Sequence, residues 1–337
     1  MSESSSPLIS GHVMAHVYDL ALKTSRVDFP VLILGETGVG KEVLARDIHA
    51  NSNGRSSGNF VAVNCGAIPE SLLESELFGY VKGAFTGAVG EKMGLIEMAD
   101  GGTLFLDEIA EMSFHMQAEL LTVIENKEYR KVGAVELKKA NFRLICATNK
   151  DLIMLVQNHL FRDDLYYRVN TIEIKIPPLR ERKDEIVDIV KVFLRELGYG
   201  QVSISPEVME IFLCYSWPGN LRELKSVIES SITELDSHEQ MIDIKHLPEE
   251  KFSVLSCWLI KSNDSRSLLE MEHCFRKNLI KNAMEFYGGD YKKVMSELKI
   301  SKDVIYRSIK NGGGKHTSVY NAKIEISNYL QKGVYHV

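Results

Sequence analysis

Residues 31 to 42, VLILGETGVGKE, constrain this chain more than any other stretch. Val31 to Leu34 are four apolar residues that read as a short buried strand, and Gly35 ends it. Gly35, Glu36, Thr37, Gly38, Val39, Gly40 and Lys41 then match G-x-x-x-x-G-K, and from Glu42 onward the apolar spacing is that of a helix. Strand, glycine loop and helix in that order are the setting a phosphate-binding loop needs. The glycines let backbone N–H groups turn toward a phosphate, the helix N-terminus adds its positive end, and Lys41 is placed to reach β- and γ-phosphates. Glu42 departs from the general pattern, because most such loops carry there the Ser or Thr that ligates Mg²⁺.

A nucleotide-binding α/β domain predicts further core strands, and the chain supplies them in order. Phe60 to Asn64 reads as the second, with Asn64 at the end where an open α/β sheet faces its ligand crevice; a turn or capping asparagine is an equal reading. Gly101-Gly102-Thr103 precedes the apolar run Leu104 to Leu106, which ends in Asp107 and Glu108. An acid pair directly after a buried strand suits Asp107 to hold Mg²⁺ through water and Glu108 to polarise an attacking water. Residues 116–125 read as the helix that follows. Asn141 to Asn149 forms another strand, ending in Thr148-Asn149, where a polar side chain can meet a γ-phosphate. Ile172 to Ile176 alternates like a strand until Pro177-Pro178 stops it.

Two stretches between these strands invite a choice. Gly83, Ala84, Phe85, Thr86, Gly87 and Ala88 put two glycines around a lone aromatic. Either the loop is mobile with Phe85 exposed at its tip for a partner, or it is a hairpin turn with Phe85 tucked inward. Arg162 and Arg168 lie six residues apart, and Arg162 can equally pair with Asp163 or Asp164 on the surface.

From residue 179 the pattern turns helical, with periodic segments at 185–197, 206–214 and 221–235 and no further strand. Trp217-Pro218-Gly219-Asn220 interrupts them, and Arg222 near the start of the last helix is placed to swing toward the nucleotide. Residues 251–267 carry little pattern and read as a linker. An amphipathic helix is expected over 268–287, a break at Gly288-Gly289-Asp290, a short helix over 291–298, and a third from the N-cap Ser301. Lys302, Asp303, Tyr306, Arg307 and Lys310 lie on that last helix. Three helices with a basic final one suggest a DNA-binding helix-turn-helix, with a small oligomerisation module as the other reading.

Charge sharpens this division. The chain of 337 residues has a net charge of −6, yet residues 268–337 hold 12 Lys/Arg against 7 Asp/Glu, a net of +5 that leaves −11 for the rest. A basic C-terminal piece on an acidic body points to a polyanion partner at one end or to an ordinary solvated face. Five scattered cysteines without a C-x-x-C exclude a disulfide frame or zinc site, and no signal peptide or membrane-length apolar run occurs. A cytoplasmic protein is expected.

With these pieces aligned, the chain resembles the bacterial enhancer-binding proteins, the AAA+ activators of sigma-54 RNA polymerase. GETGVGKE, NCGAIPESLLESELFGYVKGAFTGA, GGTLFLDEI, FRDDLYYRVN, PPLRER and WPGNLREL follow one another in that family's order and spacing, over residues 7 to 313. GAFTGA is close to unique to these activators. The resemblance implies an AAA+ α/β ATPase subdomain over 7–178 with its parallel sheet sandwiched by helices. It further implies a helical lid over 179–250, a linker over 251–267, a Fis-type helix-turn-helix over 268–311 and a tail over 312–337 of no assigned role. It implies ATP and Mg²⁺ as cofactors, a ring oligomer (a hexamer, of self or with a paralogue), sigma-54 and RNA polymerase as partners, and upstream enhancer DNA.

Roles carry over residue by residue. Lys41 would bind phosphate, and the family also has Glu where Glu42 stands. Asp107 and Glu108 look like the Walker B pair, and Asn64 is similar to the asparagine that holds the catalytic glutamate back. Thr148-Asn149 looks like sensor I, Arg162 and Arg168 like trans-acting arginine fingers, and Arg222 like the sensor II arginine. Gly83 to Ala88 would grip sigma-54, with Phe85 and Thr86 at the contact. Val39 replaces the usual P-loop Thr, and Val294 and Met295 stand where the helix-turn-helix usually has small residues. With only about thirty residues ahead of the P-loop strand, the chain resembles the members without a receiver domain, such as the phage-shock and type III secretion activators, which implies a trans-acting regulator protein. A generic AAA+ remodeller, a nucleotide-switched DNA binder and the same motor without DNA binding are the competing readings.

Overall fold

The computed structural model describes residues 12–236, 238–248, 251–252, 279–280, 283–284, 287 and 290–305. The chain divides into two compact units, Met1–Pro248 and Glu249–Val337.

The first unit is built on a five-stranded parallel sheet. After α1 (His12–Ser25), β1 (Val31–Leu34) leads through the glycine loop into α2 (Lys41–Ala50), and β2 (Phe60–Asn64) leads to α3 (Glu70–Phe78). Then come the short β3 (Gly79–Tyr80) and β4 (Lys92–Met93), α4 (Leu95–Met98), β5 (Thr103–Asp107), α5 (Phe114–Asn126), β6 (Glu128–Tyr129), β7 (Lys138–Lys139) and β8 (Arg143–Thr148). α6 (Leu152–Gln157), α7 (Asp163–Val169) and β9 (Ile172–Lys175) complete it. The strands lie in the order β2-β5-β8-β1-β9. Each connection between parallel neighbours is a crossover that leaves helices on both faces, so β1, β5 and β8 are buried on both sides and read as apolar runs.

Register places the ends of the strands side by side. Leu34 pairs with Thr148, Leu106 with Cys146, and Asn64 with Asp107. The residues that follow β1, β5 and β8 therefore emerge together at the carboxyl edge, where open α/β sheets hold their ligands.

Helix starts follow local chemistry. Ser113 accepts from Met116 N at 3.3 Å to start α5, and Asp151 accepts from Ile153 N and Met154 N to start α6. The lid portion contains α8 (Ile186–Glu196), α9 (Pro206–Cys214, with Ser205 as N-cap) and α10 (Asn220–Thr233). The absence of further strands expected beyond residue 179 is corrected here: β10 (Ser203–Ile204) and β11 (Met241–Ile242) pair in parallel across the lid. Strands of two residues are too short to leave an alternating signature. Trp217 is wholly buried, its Nε1 donates to the Phe212 carbonyl at 2.7 Å, and its ring meets Phe212 and Tyr215 edge-on. Trp217 and Asn220 both adopt left-handed φ, 51° and 52°, so the WPGN turn is held in an uncommon shape by this packing.

In the second unit, α11 (Tyr291–Leu298) starts at Asp290, whose carboxylate accepts from Lys292 N and Lys293 N. It ends at Lys299 in a left-handed turn, and residues 302–305 are helical again. Ile280, Val294 and Ile305 are buried together in one apolar cluster with Met295 packed against it. The bulky Val294 is thus part of the core, where burying a valine contributes ~1.5–3 kcal/mol. Tyr306, Arg307 and Lys310 lie outside the described residues, as do the expected linker beyond 252 and most of the expected helix over 268–287.

Candidate functional site

The loop between β1 and α2 is tightly enclosed. Gly38 and Gly40 adopt φ of 81° and 104°, and a Cβ on Gly38 would overlap the Gly219 carbonyl, so both conformation and space demand glycine. Val39 is buried in the core, and its carbonyl accepts from Nη2 of the equally buried Arg182 at 3.0 Å. A side chain packed into the apolar core explains why valine serves where a threonine is usual. Glu42 turns out to the surface and pairs with Arg46 one turn on.

Lys41 opens α2 and is 7% exposed. Its Nζ donates to the Gly35 carbonyl at 3.0 Å, to the Glu36 carbonyl at 3.5 Å, and to Glu108 Oε1 at 3.3 Å. Asp107 lies at the end of β5, where burial raises its carboxyl above the usual range while Lys41 opposes that shift. Its Oδ1 accepts from Glu108 N at 3.0 Å. Glu108 itself sits in the left-handed region, φ 51°, the kind of local strain that recurs at working sites.

At the end of β8 the two polar residues separate. Thr148 Oγ1 is buried and accepts from Lys150 N within its own turn. Asn149 reaches the glycine loop instead, donating from Nδ2 to Thr37 Oγ1 at 3.1 Å and from its backbone N to Glu108 Oε2 at 3.3 Å. Asn64 does not touch Glu108. Its Oδ1 accepts from Gly66 N and Ala67 N at 2.9 and 3.0 Å, the capping geometry, so here Lys41 and Asn149 hold the glutamate.

Arg162 and Arg168 stand apart from this cluster. Arg162 forms a two-pronged pair with Asp164 at 3.0 and 2.7 Å, with its guanidinium over the Phe114 ring, and Arg168 meets Glu125 at 3.4 Å. Among the described residues neither hydrogen-bonds to the glycine loop. Arg222 is exposed, with its Cβ close to Gly38 across the lid contact.

Residues 81–91 form an arm on the β3–β4 ribbon. Gly83 and Gly87 have φ of 83° and 107°, and Gly83 N donates to the Ala88 carbonyl across the base. Phe85 is 45% exposed and rests edge-on against Tyr80 at 5.0 Å, so it satisfies neither the free-tip nor the tucked reading fully. Thr86 is exposed and Ala88 buried. A second loop, residues 130–137, lies alongside: Val81 N donates to the Val132 carbonyl, and Val132 N to the Gly79 carbonyl. Lys131, buried, joins the two by pairing with Glu91 at 2.6 Å and Glu97 at 3.1 Å.

Sequence reasoning missed the residues that brace the cradle from outside. Arg180 holds Glu36, Asn220 bonds to Glu36, Thr37 and Leu179, and the wholly buried pair Arg182–Glu185 supports Val39. For Arg180, Arg182 and Asn220 the signal was their presence in PPLRER and WPGNLREL, and Glu185 had none, since charged runs ordinarily read as surface. In the second unit, Lys302 and Asp303 are exposed, and Lys302 Nζ lies 5.0 Å from the Tyr291 ring centre.

Comparison with known proteins agrees with this architecture. Residues 8–175 match the sigma-54 interaction domain and residues 180–254 the AAA+ ATPase lid domain. Regulatory protein LuxO of Vibrio parahaemolyticus is 38% identical over 314 residues, covering 91% of this chain and 69% of LuxO. The Nif-specific regulatory protein of Klebsiella pneumoniae is 47% identical over 221 residues, 65% of this chain and 42% of that protein. The crystal structure of NtrX from Brucella abortus in complex with ATP aligns over 92% of this chain and 69% of that one, at 26% identity and a TM-score of 0.66.

Proposed function

The chain belongs to the sigma-54-dependent AAA+ activators, and from that premise we propose that it hydrolyses ATP in a ring of subunits and uses residues 83–88 to remodel the sigma-54 RNA polymerase promoter complex. The observation that carries the reading is the convergence of Lys41, Asp107, Glu108 and Asn149 on one glycine loop at the carboxyl edge of the sheet.

Each side chain has a role that its position supports. Lys41 and the N-terminal amides of α2 bind the phosphates. Asp107 is the group that would hold Mg²⁺, and a buried carboxylate whose charge is opposed by burial gains most from a cation beside it. The bound ion would supply charge neutralisation on the transferring phosphate. Glu108 accepts the proton of the attacking water, and Asn149 positions the terminal phosphate. Asn64, beside Asp107 in the sheet, restrains Glu108 once Lys41 takes its phosphate partner. Arg162 and Arg168, paired with Asp164 and Glu125 and not with their own glycine loop, serve the neighbouring subunit, and Arg222 bridges lid and nucleotide. Mixing Arg162→Ala with Lys41→Ala protein is expected to restore part of the turnover that each lacks; no rescue in any ratio would place the arginine in its own subunit's site.

The test of the whole reading is open-complex formation at a sigma-54 promoter with purified holoenzyme. The expected product appears with ATP and disappears with Thr86→Ala. Opening that needs no nucleotide, or that survives the substitution, would defeat it.

A further part of the proposal is that residues 268–311 bind upstream enhancer DNA, supported by the net charge of +5 over residues 268–337 and by the buried Val294 core beneath residues 302–305. Lys302 and Asp303 would face base edges, with Tyr306, Arg307 and Lys310 nearer phosphates. Arg307→Ala is then expected to weaken binding to all sequences and to lower the log–log salt slope by ~0.9. An unchanged slope would remove the phosphate contact.

A further inference from the structure

Glu36 is the second residue of the glycine loop, and its backbone carbonyl lies 3.5 Å from Lys41 Nζ. Its side chain is therefore an anion on a short tether beside the cation that meets the phosphates. Left loose, that carboxylate competes with an incoming triphosphate for Lys41 and repels it. Burying or neutralising it is one solution, but the Glu36 carboxyl is held below the usual range, chiefly by its Arg180 hydrogen bonds and against the effect of burial. It stays charged, so its direction matters.

Three donors draw it outward. Arg180 grips it with both prongs, at 2.9 and 2.6 Å, a geometry that fixes the carboxylate plane as well as its charge. Asn220 Nδ2 adds a third bond at 3.1 Å and a fourth to the Thr37 carbonyl, also 3.1 Å. The orientation of the Asn220 amide is settled by its neighbours. Leu179 N donates at 2.8 Å to one side, which must be the oxygen, and two acceptors face the other, which must be the NH₂. Asn220 is wholly buried, and its backbone is set by the left-handed WPGN turn. Both gripping residues come from the far side of the lid boundary, 144 and 184 positions along the chain from their partner.

We propose that Arg180 and Asn220 are positioning residues for nucleotide binding, which hold the Glu36 carboxylate off the phosphate cradle and leave Lys41 free for the triphosphate. This rests on the glycine loop being the ATP site.

The experiment is titration of the full chain with ATPγS, with Mg²⁺ present, for wild type, Arg180→Gln, Glu36→Gln/Arg180→Gln, and Asn220→Asp. Arg180 is about a third exposed, so its replacement leaves the core intact. Arg180→Gln is expected to weaken binding ~5–20-fold, a range fitting one released like charge at a partly solvated site. Removing the charge as well, in the double variant, is expected to return affinity to within about twofold of wild type. In turnover the single variant raises KM far more than it lowers kcat. Asn220→Asp, which turns a carboxylate oxygen toward Glu36 and the Thr37 carbonyl, is expected to weaken binding and to recover in part when Glu36→Gln is added. Arg180→Gln binding within about twofold of wild type overturns the proposal. So does a double variant as weak as the single one, because a purely structural strut would not be rescued by removing a charge. Folded wild type that fails to bind ATPγS would instead remove the nucleotide-site reading, and that result is visible before any variant is made.

Discussion

The chain carries two glycine-bearing loops that differ in what the glycines are for. In the cradle, a Cβ on Gly35 would lie 2.9 Å from Val39 and 3.0 Å from the Ile176 carbonyl, and one on Gly38 would strike the lid. In the arm, Cβ atoms on Gly83, Gly87 and Gly90 would meet nothing within 4 Å. In the cradle Gly38 answers to crowding and conformation together, Gly35 to crowding and Gly40 to conformation, whereas Gly83 and Gly87 answer to conformation alone. A crowded loop is fixed by its own protein, whereas an uncrowded one with left-handed turns keeps its surface open to solvent. The comparison separates a site whose geometry is internal from one that, in the proposed function, works against a partner.

Glu108→Gln has the largest expected effect on the cradle side. Turnover should fall ~10²–10⁴-fold, the range for losing a positioned base, with nucleotide binding kept. Near-normal turnover would take the cradle out of catalysis and leave the contrast without content. Gly38→Ala comes next. It forces a side chain into the left-handed region at ~1–2 kcal/mol and into the Gly219 carbonyl, so ATP affinity should drop about tenfold or more by titration. Gly83→Ala or Gly87→Ala bears the conformational cost alone, ~1–2 kcal/mol, with no steric addition. Their ATP turnover should stay within about twofold of wild type; a collapse like that of Gly38→Ala would show that the arm is as internally braced as the cradle. Thr86→Ala should move turnover and Tm least of all, while promoter opening is lost. Retained opening would mean the arm's exposure has no partner behind it.

How much of this could be read from the sequence follows the range of the interactions. Val31 to Leu34 and Leu104 to Leu106 declared themselves because a strand buried on both faces needs a continuous apolar run. The acids after β5 and the asparagine after β8 were found because each ends such a run. Of the pair Thr148 and Asn149, the sequence reading placed Asn149 at the nucleotide, and the Thr148 hydroxyl is spent closing its own turn at Lys150 N while Asn149 reaches Thr37. The sequence could not reveal Arg180 and Arg182 as braces. Their partners are Glu36 and Val39, more than 140 residues away, and a segment reading RERKDE otherwise describes solvent-facing charge. The pair β10–β11 escaped for a related reason, since two residues carry no period. Arg162 went the other way: the local pair with Asp164, weighed from sequence as the bland alternative, is present at 2.7 Å, and the role across subunits stands as a proposal.

Trp217 has a practical consequence. It lies at the base of the turn that delivers Asn220, shielded from water and packed against Phe212 and Tyr215. An indole in that setting emits at shorter wavelength than a solvated one and is sensitive to small changes in its neighbours. The chain contains two tryptophans, and the other is Trp258. In a Trp258→Phe background, intrinsic fluorescence would therefore follow this one turn without an attached dye. Stopped-flow emission on mixing with ATP would then time the lid's response directly, separately from phosphate release.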